Sequence, residues 1–429
     1  MLVLDNQQRV VDWKMEQIGQ TSRASALVYL DAGHIFLGSH QGDSQVIRIQ
    51  EADMEVVQTF SNIAPILDFT IMDMASRAAE GQTNEFSSGQ ARIVAGSGAW
   101  NDGSLRSVRS GVGLEELGLL GDMQHVTNMF SLKSSLSADY FDTLVVTFIN
   151  ESRVFRFSPD GEVEEVSNYV GFSLLEQTLL ASNLSNGQLL QVTASTVRVT
   201  DPESGMVVSE WEPENGASIN SVAVEAYQVV LSYGGGQLAI LDVSDGVRVQ
   251  AQKDLTSRGQ IACVTLSDLV PHVCIVGFWQ NSTISILHLD SLDGVSDITL
   301  TTENVIPRSL LIARIFSSAA PVLFIAMADG TVITYSIDPS SYALSSKKSI
   351  ILGTQQASFR TIPRDEHLSA VFATCEHPSL VYGEEGRLVY SAVTAENATC
   401  VCPFDAEAYP GAIAIATKND VRIGVVDTE

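Results

Sequence analysis

The residues with the widest chemical range in this chain are five cysteines, Cys263, Cys274, Cys375, Cys400 and Cys402, and seven histidines. A structural zinc site needs four ligands, usually delivered as two closely spaced Cys or Cys/His pairs. Cys400-Val-Cys402 is one close pair, but no second Cys/His pair stands at a zinc-ligand spacing, and Cys375 and His377 alternate along a strand pattern. An odd number of cysteines scattered through apolar runs predicts buried, reduced thiols. His34 and His288 also fall within strand patterns, as satisfied core or edge residues do. Nucleophile and phosphate signatures are missing: there is no Walker sequence, no Gly-x-Ser-x-Gly elbow and no His-Glu-x-x-His. Gly96-Ser-Gly98 and Gly111-Val-Gly113 lack the third glycine of a dinucleotide fingerprint and lie between strands, so they read as turn glycines. The expectation is a protein that is not an enzyme and takes no cofactor and no metal.

Charge narrows the partners. The formal net charge is -27, with a sequence pI near 4.5. A phosphate backbone meets a repulsive field unless a local basic patch overrides it. The small basic groupings are Arg106 with Arg109, and Lys347-Lys348. Neither is interleaved with aromatics as a base-stacking platform would be. Direct nucleic-acid binding is therefore not expected. No run approaches the ~18 apolar residues of a membrane helix, so no membrane partner is expected either. Met1-Leu-Val-Leu-Asp lacks the basic and apolar regions of a secretory signal, which predicts an intracellular protein. In that setting the sequons at Asn150, Asn183, Asn281 and Asn397 read as polar turns.

The elements that must position any site are strands. Turns between paired apolar runs fall at Glu151, Ser195, Gly235, Asn281, Gly330, Glu376 and Asn419. They stand about 45 residues apart, the period of a four-stranded propeller blade. Asp329-Gly330 between Val322-Leu-Phe-Ile-Ala-Met and Thr331-Val-Ile-Thr-Tyr is the clearest hairpin. More polar strands follow the hairpins, as at Arg248-Val-Gln-Ala-Gln, and suit the outer edge of a blade. The fold class expected is all-β: a seven-bladed β-propeller over residues 132–429, with the strand at 421–426 near its closure. Residues 1–131 hold two hairpin-like units, turning at Gly42-Asp43 and Asp102-Gly103, with a polar insertion at 75–90. They read as the C-terminal blades of an incomplete first propeller, less able to fold alone than the ring.

Particular segments carry a family resemblance. Gly38-Ser-His-Gln-Gly-Asp-Ser-Gln-Val-Ile-Arg and Gly96-Ser-Gly-Ala-Trp-Asn-Asp-Gly-Ser-Leu-Arg strongly resemble the family of damage-specific DNA-binding protein 1, the triple-propeller adaptors of cullin-4 ubiquitin ligases. Val208-Ser-Glu-Trp, Ile306-Pro-Arg-Ser, Leu352-Gly-Thr-Gln, Arg387-Leu-Val-Tyr-Ser and Ile423-Gly-Val-Val-Asp extend the match to nearly the whole chain. Relatives of the same architecture include the large subunit of the cleavage and polyadenylation specificity factor and a splicing-factor 3b subunit.

The resemblance implies a nuclear and cytoplasmic adaptor linked to DNA repair and protein ubiquitination. Its second propeller would bind the N-terminal region of a cullin-4 scaffold, and substrate receptors would follow only where the missing propellers are supplied. The alternative is a nucleic-acid-binding scaffold of the RNA-processing type. Trp279, in Gly277-Phe-Trp-Gln-Asn-Ser, is the expected anchor: it ends a strand and opens a turn, where a large aromatic suits an interface. Phe278 and Gln260 are the accompanying expected partner-binding residues, Gln260 on the adjacent loop between blades.

Overall fold

The computed structural model describes all residues except 1, 5, 6, 8, 14–16, 51, 52, 73–91, 99–102, 110, 136, 318, 365, 366, 385, 396, 397, 428 and 429. The insertion expected at 75–90, the turn residue Asp102 and the sequon at Asn397 lie outside the described residues.

The chain divides into two compact units, one comprising Met1–Met72 and Arg92–Val108, the other including Arg109–Glu429. In the first unit a hairpin pairs Leu2–Leu4 with Val10–Trp13, and Ala24–Tyr29, His34–Ser39, Ser44–Ile49 and Met54–Phe60 form a four-stranded antiparallel sheet. A three-stranded sheet follows from Ile66–Met72, Arg92–Ser97 and Ser104–Arg109. Among the described residues of the first unit, Leu37, Ile47 and Ala95 are the buried apolar ones, whereas Leu27, Leu67, Phe69 and Ile71 are exposed. Apolar strand faces without cover are what partial blades present.

The second unit is the ring. Seven innermost strands, Asn128–Leu132, Thr178–Asn183, Ile219–Glu225, Ile261–Leu266, Pro307–Ala313, Ser358–Pro363 and Cys400–Pro403, each neighbour the next, and the last neighbours the first. Each begins a blade of antiparallel strands, so the seven-bladed propeller expected from the turn spacing is what forms. We number the blades one to seven from Asn128–Leu132. All seven turns named above connect the second and third strands of their blades. The second strands are apolar at nearly every position because both of their faces are covered. Successive side chains point to opposite faces: Val273 and Ile275 enter the apolar seam with blade five, while Cys274, Val276 and Phe278 enter the seam with blade three. Seven apolar clusters result, one at each seam. All five cysteines are buried in these seams. Burial pushes the thiols of Cys263, Cys274 and Cys400 up to about 12. Asn183, expected as a turn residue, instead clamps a seam, its amide accepting from Lys133 N at 2.9 Å and donating to Lys133 O at 2.8 Å.

Closure corrects the expected boundary at 131/132. The outermost strand of blade seven is Gly111–Leu120, which runs antiparallel to Val421–Asp427 and also touches the outer strand of blade six, Arg387–Val393. The first strand of blade one, Asn128–Leu132, likewise belongs to the ring. Turn spacing locates the middle of each blade and is blind to which segment supplies an outer edge, so it places residues 111–131 on the wrong side of the boundary. Gly424 makes the closure possible: a Cβ there would stand 2.5 Å from Glu115 O of the closing strand.

Candidate partner-binding face

Strands alternate in direction within a blade, so the turns between second and third strands share one side of the ring with the connections between blades. Gln260 lies in the connection entering blade four, Trp279 in the inner turn of blade four, Arg308 on the first strand of blade five, and Gln356 in the connection entering blade six. These four residues form a continuous line across the face.

The backbone builds the line first. Trp279 N donates to Gln260 O at 2.9 Å, and Ile261 N donates to Gly235 O at 2.8 Å, which ties the Gln260 loop to the turns of blades three and four. Gly277 then admits the next blade. A Cβ at this position would meet Cys263 Sγ at 2.7 Å and Pro307 Cγ at 3.0 Å, so only glycine lets Pro307 close in. The Cys263 thiol donates to Pro307 O at 3.4 Å and holds that approach.

Arg308 is the residue skipped by the register between Pro307↔Met327 and Ser309↔Ala326. A bulge re-aims its side chain and interrupts the ladder. The first strands of blades two, three and four carry the same irregularity at the same place, at Leu179, Asn220 and Ala262. In blade five the re-aimed side chain is a guanidinium. Its Cζ lies 4.6 Å from the centroid of the Trp279 ring, within range of a cation–π attraction. Its Nε donates to Gln356 Oε1 at 2.6 Å. Trp279 nonetheless keeps 40% of its surface exposed.

The expected partner residues thus separate. Trp279 and Gln260 are exposed on the face. Phe278 is not: it is 1% exposed and packed with Val230, Leu238 and Ile240 of blade three. Strand alternation sends it into the seam opposite to the one Trp279 approaches, so it is a core residue, which corrects the expectation that it meets a partner. Sequence reasoning missed Arg308 and Gln356, although Arg308 stands within the Ile306-Pro-Arg-Ser segment. It also missed Ile149 and Leu175, 67% and 90% exposed in the inner turn of blade one and the connection to blade two. Exposed large side chains on turns were the available signal.

Elsewhere on the face, Thr354 donates through N and Oγ1 to the Glu376 carboxylate at 2.8 and 2.6 Å, and those bonds lower the pKa of Glu376. At the opposite mouth of the ring, a cavity of about 390 Å³ is lined in part by Glu225, Asp268, Arg314 and His367. Burial, with Asp268 beside it, raises the pKa of Glu225. Among the described residues, no cluster of His, Cys, Asp or Glu could hold a metal ion, and no helix is long and apolar enough to cross a membrane.

The ring has known counterparts. Residues 114–426 match the family model described as RSE1/DDB1/CPSF1 second beta-propeller, and residues 1–61 match RSE1/DDB1/CPSF1 first beta-propeller. DNA damage-binding protein 1 of Oryza sativa subsp. japonica is 34% identical over 439 residues, covering 100% of this chain and 39% of the relative. DNA damage-binding protein 1a of Arabidopsis thaliana is 31% identical over 438 residues, with 100% and 39% covered. DNA damage-binding protein 1 of Drosophila melanogaster is 31% identical over 429 residues, with 97% and 36% covered. The chain therefore spans about two fifths of the length of these relatives. With a seven-bladed ring matched over nearly its whole length and the end of another propeller before it, the chain belongs to the RSE1/DDB1/CPSF1 β-propeller family.

Proposed function

We propose that this chain is a non-enzymatic adaptor module of a cullin-4 RING ubiquitin ligase, linked to DNA repair, whose ring docks the N-terminal region of the cullin through the face that carries Trp279. The observation that carries the reading is the exposed indole of Trp279, braced by Arg308 and by the Gln260 loop within a line of four residues that runs from the entry of blade four to the entry of blade six. An aromatic held rigid with much of its surface open loses little freedom on binding, which is the property of an interface hot spot. Ile149 and Leu175 add apolar contact area on the same side of the ring. The relatives named DNA damage-binding protein favour this reading over an RNA-processing scaffold. Substrate receptors would require the propellers that the longer relatives have room for. Function in the nucleus and cytoplasm follows from the same reading.

Affinity capture with the intact chain tests it. Recovery of cullin-4, lost in Trp279→Ala, is the expected result. Recovery of polyadenylation or branch-site factors in its place would overturn it.

A further inference from the structure

Arg308 differs from the salt-bridged arginines of the ring in what it touches, as does Arg360, which donates to the Asn128 amide beside the Phe130 ring. Arg153 pairs with Glu165, Arg198 with Glu210, Arg258 with Asp297 and Arg422 with Glu116 and Asp420. In a chain with 51 Asp and Glu against 24 Lys and Arg, a carboxylate is the commonplace partner. Among the described residues, none pairs with Arg308; its Nε is held by the neutral amide of Gln356 and its planar group lies against Trp279. Guanidinium groups bind carboxylates through two parallel N–H donors. The bond to Gln356 uses Nε and leaves the two terminal amino groups, Nη1 and Nη2, for that purpose. Stacking and the amide bond fix the group in advance, so a ligand does not have to order it.

We infer that Arg308 and Trp279 form one composite anchor, which takes a carboxylate side chain of the docking partner on the guanidinium while an apolar side chain of the same segment covers the open part of the indole. This inference rests on the proposal that the Trp279 face is the docking face. The net charge of -27 repels a broadly acidic partner, so the segment that fits is apolar or mixed in charge and contributes a single acidic group at this point. The indole beside the ion pair excludes water from one side, which strengthens the pair relative to an exposed one.

The experiment measures binding of the N-terminal region of cullin-4 to the intact chain across a series of salt concentrations, with Trp279→Ala, Arg308→Met and Arg308→Lys. Arg308→Met keeps a stem against the indole and removes the charge. It is expected to weaken binding on the order of tenfold and to flatten the salt dependence, with Arg308→Lys intermediate and melting temperatures unchanged. Wild-type affinity and salt dependence in Arg308→Met, alongside lost binding in Trp279→Ala, would overturn the composite anchor and leave the docking face standing. Unchanged binding in both variants, or none by the wild type, would overturn the docking face and this inference with it.

Discussion

The guanidinium of Arg422 grips the carboxylate of Glu116 across 306 residues of sequence, joining the third strand of blade seven to the strand that closes the ring. Both side chains are more than a third exposed, so the ion pair itself contributes little. The closing ladder and its tight backbone approach carry the closure.

Glu116→Gln is accordingly expected to cost less than about 1 kcal/mol. Gly424→Ala places a methyl group against Glu115 O and is expected to cost about 1–3 kcal/mol or more. Urea unfolding of both variants checks the order. Equal effects would place the strength of the closure in the ion pair.

Neighbouring aromatics at 278 and 279 should respond in opposite ways. Phe278→Ala empties a site in the seam between blades three and four, and a loss of about 3–5 kcal/mol of stability is expected. Trp279→Ala should leave the melting temperature nearly unchanged and weaken partner binding by about 2 kcal/mol or more. Thermal melts with binding isotherms on both variants decide it.

Glu225 makes stability depend on pH. Folding raises its pKa through burial and through Asp268, so the folded chain holds this proton more tightly than the unfolded one. Ionised Glu225 therefore costs stability above its folded pKa, and that cost fades as pH falls toward the unfolded value near 4.5. Glu225→Gln should raise the melting temperature at pH 7 and give a shrinking gain as the buffer is made more acid. A gain that grows with acidity would reverse the sign.

Thiol chemistry offers a direct reading of seam integrity. All five cysteines are buried, and burial disfavours the thiolates of Cys263, Cys274 and Cys400 at neutral pH. A disulfide-exchange reagent at pH 8 should titrate none of the five until denaturant is added. Fast reaction of any one in the native chain would show that its seam opens.

Fully covered strands announced themselves in the sequence as unbroken apolar runs. With turns such as Gly235 and Asp329-Gly330 between them, seven blades are legible. The same uniformity hides which neighbour each side chain faces, so the sequence does not show that Phe278 enters the seam. Arg308 was invisible as a site residue because its aim comes from a bulge, which exists only relative to Met327 and Ala326 on the partner strand. The closing strand escaped because its partner lies at the far end of the ring, and local patterning carries no record of distant pairing.

The origin of the closing strand also sets a timetable for biosynthesis. Gly111–Leu120 emerges from the ribosome long before Val421–Asp427, the strand it pairs with over most of its length. At roughly 5–20 residues per second, it waits on the order of 15–60 s with Val112, Leu114 and Leu120, which the seams of blade seven cover in the closed ring, facing solvent. During that interval the nascent ring is an open stack of blades with a free edge at each end, the state most in need of a chaperone.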